Sequence, residues 1–363
     1  MAGRDHPPRT ILFVTRKWGP AMGGMETYCQ RLTEELAKTL ALDIVALPGK
    51  EDGSTPSAAS LLGFAFIILR RWMARRDVPD ILHIADMALW PVGLLAGSHT
   101  RVVLSAHGTD VSYPRRGGVK ASLYGFYLRL GSKLLGRASV IANSAATRAA
   151  CRENGWHRSV IVPLAADIRT SPPPPPPRGN MLFAGRLIRQ KGLRWFVENV
   201  LDSLPETITL DVAGKRLDPA EGAVLNHPRV RFLGILSQEK LDAAYCAALC
   251  VVVPNLELPN GEFEGFGLVA CEAAAAGGIV LAANCGGLSE AVIGGATGFL
   301  LPSGDARAWH ERIICIAGWQ PERREAFTRN AIDCAAAHFN WQRVAADTAA
   351  VYQSRLNHLG GAR

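Results

Sequence analysis

Residues 261–302 read GEFEGFGLVACEAAAAGGIVLAANCGGLSEAVIGGATGFLLP, and this stretch is the most informative part of the chain. Two carboxylates, Glu264 and Glu272, flank the turn Gly265-Phe266-Gly267, which predicts a helix that begins at about Leu268. The first backbone N–H groups of a helix have no partner inside it, and the positive end of the helix dipole lies behind them. The turn therefore predicts a binding site for an anion or a sugar hydroxyl.

The two carboxylates predict a ligand with hydroxyl groups at both ends. Glu272 lies a little over one turn inside the expected helix, on the side that also borders the ligand site at the helix N-terminus. Because carboxylates accept hydrogen bonds from vicinal hydroxyls, a ligand with sugar rings on both sides of a phosphate fits this layout. The alternative is a solvated acidic loop before an alanine-rich core helix. The glycine pairs Gly277-Gly278 and Gly286-Gly287, on either side of an apolar strand, favour the ligand site.

Length and composition indicate a two-domain globular protein. The chain has 363 residues, of which 20% are charged and 48% hydrophobic, and it can bury two cores of ordinary size. No apolar run precedes the first strand, so no secretory signal is expected. The longest apolar run, residues 58–69, is too short for a bilayer, which takes about 20 residues. The eight scattered cysteines are expected to be free thiols in a reducing compartment, and the protein is predicted to be cytoplasmic.

The excess of positive over negative charge lies entirely in the first half of the chain. Residues 1–169 hold 22 lysines and arginines against 13 acidic residues, whereas the net charge of the whole chain is +8. Basic residues cluster at 70–76 and again at 115–137, where Arg129, Lys133 and Arg137 alternate with apolar and aromatic residues. This pattern is typical of an interfacial helix attracted to anionic lipid. A half-buried helix with a cationic outer face is the alternative, and nucleic-acid binding is not expected because no nucleic-acid motif accompanies the charge.

Apolar strand-like runs alternate with amphipathic helical runs, which predicts α/β architecture with parallel sheets. A run of six prolines, Pro172–Pro177, interrupts the alternation and marks a linker. We therefore predict an N-terminal domain over 1–170, a linker over 171–179, a second domain over 180–340 and a C-terminal helix over 341–363 that packs on the outside. Ligands of such sheets bind at the carboxyl ends of strands, so a cleft between the two domains is expected to hold the site. The expected strands begin near residues 11, 42, 80, 101, 139 and 159, and near 180, 208, 230, 249, 279 and 298.

Further polar motifs follow expected strands. Gly23 and Gly24 come after the first strand, where glycines allow close approach to a phosphate, although a tight turn explains them equally well. His107 follows the fourth strand and could reach a ligand, but as an isolated His-Gly it is better explained by packing against a loop. Arg186 and Lys191 follow the first strand of the second domain, where they could bind phosphate oxygens or form solvated surface.

Taken together, these motifs resemble the retaining GT-B glycosyltransferases of family 4. The likeness rests on the loop around Gly23-Gly24, on H-G-T-D at 107–110, on G-R-L with K-G at 185–192, and on the two glutamates with their glycines at 261–302. It implies the GT-B fold, with two Rossmann-like domains facing a central cleft. One departure is Ile279, which stands where the family usually has proline and only begins a buried strand.

The resemblance implies a role for each of these residues. Arg186 and Lys191 would clamp the donor diphosphate, and His107 would lie beside the reacting carbon of the donor sugar. Glu264 would hold the sugar and Glu272 the nucleotide ribose. The implied donor-binding backbone positions are Gly23, Gly24, Gly234, Phe266, Gly267 and Leu268.

The expected function is transfer of a hexose from a UDP or GDP sugar to a hydroxyl of a lipid-linked or polysaccharide acceptor, in cell-envelope glycan biosynthesis such as that of lipopolysaccharide. The resemblance implies retention of configuration. No metal or other cofactor is expected, because the two cations can stabilise the diphosphate and no D-x-D pair follows a strand. The protein is predicted to act on the inner face of the cytoplasmic membrane, as a peripheral protein bound to anionic lipid through its N-terminal domain. The alternatives are a GT-B nucleotide-sugar epimerase and a non-catalytic nucleotide-sugar-binding or membrane-scaffold protein.

Overall fold

The computed structural model describes residues 10–20, 23–50, 56–168 and 179–360. They form two compact units, of which the first comprises the chain up to Pro163 together with the segment from Trp341 onward. The second unit comprises Leu164–Asn340 and thus begins upstream of the predicted linker. The proline run of that linker lies outside the described residues.

The first unit is built on a six-stranded sheet in which every pair of neighbours is parallel. The strand order is β2-β1-β3-β4-β5-β6. The strands of this sheet are β1 (Ile11–Trp18), β2 (Leu42–Pro48), β3 (Ile81–Ile84), β4 (Arg101–Ala106), β5 (Ser139–Ala142) and β6 (Ser159–Ile161). Strand β1, which lies between β2 and β3, is completely buried from Ile11 to Val14, as expected for a parallel sheet with both faces covered.

The second unit also contains a six-stranded parallel sheet, in the order β12-β11-β10-β7-β8-β9. The chain starts at β7 in the middle, builds outward to β9, and then returns to β10 on the other side of β7. This reversal between β7 and β10 is the switch point at which open α/β sheets bind ligands. The strands are β7 (Asn180–Ala184), β8 (Thr209–Ala213), β9 (Val230–Gly234), β10 (Val251–Val253), β11 (Val280–Ala283) and β12 (Gly298–Leu301).

Helices connect and cover the strands of both units. The α-helices of the described residues are α1 (Gly24–Leu36), α2 (Ala58–Met73), α3 (Thr109–Ser112), α4 (Gly118–Leu134), α5 (Ala145–Glu153), α6 (Leu193–Asn199), α7 (Pro219–Gly222), α8 (Gln238–Ala247), α9 (Leu268–Ala275), α10 (Leu288–Ala291), α11 (Ala306–Ala317), α12 (Pro321–His338) and α13 (Trp341–Gly360). A 3₁₀ segment, Met87–Leu95, links β3 to β4. In the described part of the chain, no helix has both the length and the apolar character needed to cross a lipid bilayer.

The prediction of an α/β fold with two parallel-sheet domains is confirmed, and every one of the twelve expected strands is present. The predicted start of α9 at Leu268 is also confirmed. Ser144 caps α5, because its hydroxyl accepts a hydrogen bond from the Thr147 amide at 3.1 Å.

The C-terminal helix α13 packs on α1 and belongs to the first unit. Tyr352 of α13 is fully buried, and its hydroxyl lies 2.5 Å from Nδ1 of His83 in β3. The other ring nitrogen of His83 lies 2.7 Å from the Ser105 hydroxyl, which in turn lies 2.8 Å from the Tyr28 hydroxyl of α1. Burial lowers the pKa of His83 to about 3, so the ring is neutral and this buried chain of hydrogen bonds carries no charge.

Candidate active site

The loops that follow β7 and β10 carry the two predicted cations and one of the two predicted carboxylates of the second unit. β7 ends at Ala184 and leads into the loop with Arg186 and Lys191, while β10 ends at Val253 and leads into the loop with Asn255 and Glu264. These strands are hydrogen-bonded neighbours, so their outgoing loops meet at the same edge of the sheet. The site therefore lies at the switch point of this sheet.

Lys191 and Glu264 form a direct ion pair at this edge. The ammonium nitrogen of the buried Lys191 donates to Oε2 of Glu264 at 2.6 Å, and Nδ2 of the buried Asn255 donates to the same oxygen at 3.1 Å. Among the described residues, no donor reaches Oε1 of Glu264. The carboxylate is thus held by one oxygen, and the other can accept hydrogen bonds from a ligand.

The surrounding cations keep Glu264 ionised. Burial alone acts to raise its pKa, but the charge and hydrogen bond of Lys191, the amide of Asn255 and the charge of Arg186 together lower the pKa below its ordinary value. Arg186 is exposed, and its guanidinium forms no hydrogen bond or ion pair with any residue that the structure describes. The site therefore combines a fixed cation, a fixed carboxylate and a guanidinium whose donors are available to a ligand.

Two glycines hold the Glu264 backbone in place. The Gly287 amide donates to the Glu264 carbonyl at 2.8 Å. A side-chain carbon at Gly287 would lie 2.2 Å from the Gly265 carbonyl oxygen, and one at Gly286 would lie 2.8 Å from the Glu264 carbonyl oxygen. The glycine pair after β11 is therefore required by close backbone packing against the acidic loop.

The start of α9 has the predicted glycine turn. Gly267 caps the helix in the left-handed conformation, with φ of 98°, which suits glycine. The Phe266 ring is buried and packs edge-on against Phe339, with ring centroids 6.4 Å apart. Consequently Phe266 can offer a ligand only its backbone, and the backbone amides of Gly267 and Leu268 follow it along the turn.

Glu272 lies on α9, where Oε2 accepts a hydrogen bond from the Tyr245 hydroxyl at 3.4 Å. Burial, together with the negative charges of Asp242 and Asp167, raises its pKa to about 7, against the smaller lowering effects of Tyr245 and Lys191. In contrast to Glu264, this carboxyl group changes its charge near neutral pH.

The neighbouring strands extend the same edge of the sheet. Gly234 ends β9 with a φ of 71°, and its carbonyl accepts from the Gly214 amide at 2.7 Å. Gly214 itself packs against the first residue after β7, because a side-chain carbon there would lie 1.8 Å from the Gly185 carbonyl oxygen. The loops after β7, β8 and β9 are thus in backbone contact beside the ion pair.

The remaining predicted residues belong to the first unit. His107 follows β4, and its Nε2 must carry the proton because it donates to the Ala85 carbonyl at 3.0 Å. Its ring lies edge-on to Tyr28 at 4.8 Å, and its amide donates to Asp110 at 2.8 Å. Gly23 directly precedes α1, and Gly24 is the first residue of that helix.

Four side chains around these sites were not identified by the sequence analysis. Asn255 and Tyr245 contact the two glutamates, and in the first unit Arg16 at the end of β1 pairs with the fully buried Asp86 after β3. A usable signal existed for Asn255, since it is the polar residue that directly follows the buried run VVVP. Tyr245 lies within a helix, and its sequence neighbours do not distinguish it.

Two models of known protein families match this chain. A family model described as "Glycosyltransferase Family 4" matches residues 22–170, and a model described as "Glycosyl transferases group 1" matches residues 178–318. The two models together cover most of the chain without overlapping, the first over strands β2 to β6 and the second over strands β7 to β12. The chain belongs to glycosyltransferase family 4. The Lys191–Glu264 pair and Glu272 all lie within the matched part of the second unit.

Two of the relatives are named enzymes. D-inositol 3-phosphate glycosyltransferase of Nocardia farcinica is 38% identical over 135 residues, which is 37% of this chain and 28% of the relative. Glycogen synthase of Mycobacterium tuberculosis is 32% identical over 183 residues, or 47% of this chain and 42% of the relative. The chain therefore matches less than half the length of these relatives.

Solved structures match almost the whole chain. Sucrose-phosphate synthase from Thermosynechococcus elongatus superposes with a TM-score of 0.75 at 23% identity, covering 96% of this chain and 100% of that chain. Anabaena HepE in complex with UDP and glucose superposes with a TM-score of 0.70 at 19% identity, covering 95% of this chain and 99% of that chain. At these identities the likeness establishes the shared GT-B fold.

Proposed function

We propose that this protein transfers a hexose from a nucleotide-diphosphate sugar to a hydroxyl group of a lipid-linked or polysaccharide acceptor, with retention of configuration. The observation that carries the proposal is the arrangement at the β7/β10 switch point, where Lys191 holds Glu264 and leaves Arg186 free to bind. A diphosphate flanked by two sugars presents both the negative charge and the hydroxyl groups that these side chains recognise.

The cations supply the electrostatic part of the reaction. When the bond between the anomeric carbon and the phosphate oxygen breaks, negative charge develops on the nucleoside diphosphate and positive charge on the sugar. Arg186 and Lys191 stabilise the departing diphosphate without a divalent metal. Lys191 is already fixed by Glu264, so little reorganisation is needed as the charge develops.

The two glutamates hold opposite ends of the donor. Glu264, ionised and open at Oε1, accepts from hydroxyls of the transferred sugar, whereas Glu272 accepts from the ribose. Neither acts as a nucleophile in this proposal. The acceptor oxygen bonds to the anomeric carbon on the face from which the diphosphate leaves, and a phosphate oxygen takes the acceptor's proton.

The choice of donor is supported by the structural neighbours. HepE was solved with UDP, with UDP-glucose, and with UDP and glucose, although it shares only the fold with this chain. We therefore propose UDP sugars as the first donors to test and GDP sugars as the second.

The direct test is to incubate the purified protein with UDP- and GDP-hexoses, with and without acceptors, and to measure nucleotide release and product. Release of UDP or GDP that depends on an acceptor supports the transferase. Conversion of the donor sugar to its epimer without acceptor would instead indicate an epimerase. Nucleotide binding without release under any acceptor would indicate a non-catalytic binding protein and would overturn the proposal.

We also propose that the first unit contacts the anionic inner face of the cytoplasmic membrane, where a lipid-linked acceptor for cell-envelope glycans such as lipopolysaccharide would be found. The support is the basic face of α4 and the turn after it, where Lys120, Arg129, Lys133 and Arg137 are exposed. None of these four forms an ion pair with a described residue. Such unpaired cations contribute about 1 kcal/mol each near an anionic surface.

A further inference from the structure

Helix α2 of the first unit carries an apolar stripe that faces water. Leu62 is 74% exposed, Phe66 66% and Met73 68%, and Leu69 is also exposed. These residues recur at intervals of four, three and four, so they lie along one side of the helix. We name the set Leu62, Phe66, Leu69 and Met73 the α2 stripe.

The buried side of α2 is much smaller than its exposed apolar side. Only Phe64 and Ile68 are buried, and they lie on the opposite side of the helix from the α2 stripe. An amphipathic helix of a globular protein normally turns its larger apolar face to the core. In α2 the larger apolar face is turned away from the core, which is the mark of a surface that binds something.

Helix α4 has the same organisation. Its exposed apolar residues again lie along one side, with spacings of four, three, four and four, and Leu123 and Phe126 are more than 60% exposed. We name the set Val119, Leu123, Phe126, Leu130 and Leu134 the α4 stripe.

The two stripes lie on the same side of the first sheet. Helix α2 connects β2 to β3 and α4 connects β4 to β5, and both connections run in the same direction along the sheet. Because parallel crossovers are right-handed, connections in the same direction place their helices on the same face. Helix α1 runs the other way and, with α13 packed on it, covers the opposite face.

Cations border both stripes, and acids are missing from both segments. The stretches 56–76 and 118–137 contain no Asp or Glu. Arg70 and Arg76 at the end of α2 are exposed and form no ion pair with a described residue, as is also the case for Lys120, Arg129 and Lys133 beside the α4 stripe. Long basic side chains beside an apolar stripe can reach lipid phosphates while the apolar residues enter the acyl boundary.

We infer that the α2 and α4 stripes together form one bilayer-docking surface, and that the apolar side chains of the α2 stripe insert into the bilayer. The occupant is an anionic lipid bilayer rather than a second copy of the chain. A symmetric contact between two copies would set the unpaired cations of one against those of the other, with no acid within residues 56–76 or 118–137 to offset them. This inference rests on the proposed membrane contact and deepens it, since that contact was drawn from the charges of α4 alone.

The test is co-sedimentation of the full-length protein with vesicles of phosphatidylglycerol and phosphatidylcholine, compared with phosphatidylcholine alone. Wild type is expected to bind the anionic vesicles and to be released by salt. The double variant Leu62→Ser with Phe66→Ser should bind at least about tenfold more weakly, because the side chains that enter the acyl boundary are lost. The matched control is Ile314→Ser, an exposed apolar residue on α11 of the second unit, which should bind like wild type.

Further arms separate the possible failures. If Arg129→Glu with Lys133→Glu abolishes binding while the α2 double variant binds like wild type, the proposed membrane contact stands and the insertion of α2 is wrong. If wild type ignores anionic vesicles, both are wrong. If wild type dimerises in sedimentation velocity and the α2 double variant is monomeric, the stripe is a contact between copies and the inference is overturned.

A readout on the wild-type protein avoids dependence on the variants. Hydrogen exchange of backbone amides in residues 58–73 should slow when anionic vesicles are added, while exchange in α11 should not change. Equal exchange of α2 with and without vesicles would contradict the inference. Nucleotide release from a soluble donor and acceptor should be the same in the α2 double variant as in wild type, which separates membrane docking from the proposed chemistry.

Discussion

Individual residues set the charge of the candidate site, and Lys191 is the residue on which the others depend. It fixes Glu264, helps to keep that carboxylate ionised, and supplies one of two cations for the departing diphosphate. Replacement of Lys191 by Met should therefore affect binding and turnover together. We expect turnover to fall by about 10²–10³-fold, the usual cost of one lost electrostatic contact to a developing oxyanion.

The matched control for Lys191→Met is Lys240→Met, an exposed lysine on α8 of the same unit. Steady-state kinetics with the donor identified by screening would measure both variants, and thermal melting would establish that both fold. Turnover of Lys191→Met equal to that of the control would contradict the assignment of the diphosphate clamp.

Glu272 makes a second residue-scale prediction, about pH. Its pKa is raised to about 7, chiefly by burial. In the ligand-free protein, Glu272 therefore loses its proton and becomes negatively charged as the pH rises through 7. If Glu272 accepts hydrogen bonds from the ribose as an anion, nucleotide affinity should increase from pH 6 to pH 8 and flatten above. Isothermal titration across this range checks the profile, and Glu272→Gln should remove its pH dependence.

The same shift affects stability with a defined sign. A carboxyl whose pKa is higher in the folded than in the unfolded state binds more protons when folded, so its ionisation destabilises the fold as the pH rises from about 4.5 to about 7. Glu272→Gln should therefore melt at a higher temperature than wild type at pH 8, with the difference vanishing at low pH. If the melting temperatures of Glu272→Gln and wild type differ by the same amount at pH 8 and at low pH, the raised pKa of Glu272 is contradicted.

At the scale of elements, the acidic loop depends on the turn between β11 and α10. Gly287→Ala would place a methyl group 2.2 Å from the Gly265 carbonyl oxygen, a contact that only backbone movement can relieve. We expect a loss of about 1–3 kcal/mol in the free energy of unfolding, together with displacement of Glu264 and weaker donor binding. Denaturant titration and nucleotide binding measure the two effects.

The control for this substitution is Gly222→Ala, at the end of α7 in the same unit. That glycine has a φ of −73°, and a methyl group there would meet no atom within 4 Å. Its stability should match or slightly exceed that of wild type, because alanine loses less backbone entropy on folding. Equal losses in both variants would mean that the effect is not specific to the loop.

The elements were largely predictable from sequence because parallel strands buried on both faces read as continuous apolar runs. The runs ILFVT, VVLSA and VVVP each became a buried strand, and Gly267 marked the start of α9. Glu264 was also predictable as a site residue, since it directly precedes the glycine turn at the start of α9. Its partners were harder to predict, because Asn255 and Tyr245 reach the glutamates only through folding of β10 and α8.

At the scale of the whole molecule, a ligand that binds only the folded second unit should stabilise it in proportion to its affinity. At a concentration about one hundred times its dissociation constant, the expected gain is about 2.7 kcal/mol. A thermal-shift screen of nucleotide sugars should therefore identify the donor by a raised melting temperature. Nucleotide sugars that leave the melting temperature unchanged throughout the screen would argue against a nucleotide site.

The allocation of α13 could not be predicted from sequence. The pattern of residues 341–356 predicts an amphipathic helix, but it does not indicate which element the apolar side of that helix packs against. Its partner is α1, and the choice depends on Tyr352 meeting His83 inside the first unit. Neither residue belongs to a recognisable motif.

That helix imposes an order on biosynthesis. The first unit is discontinuous in sequence, because Trp341 and the residues that follow it leave the ribosome only after the entire second unit. Until then, the nascent α1 lacks its cover and His83 lacks one of its two hydrogen-bond partners. The second unit, which is continuous from Leu164 to Asn340, can thus complete its core during translation before the first.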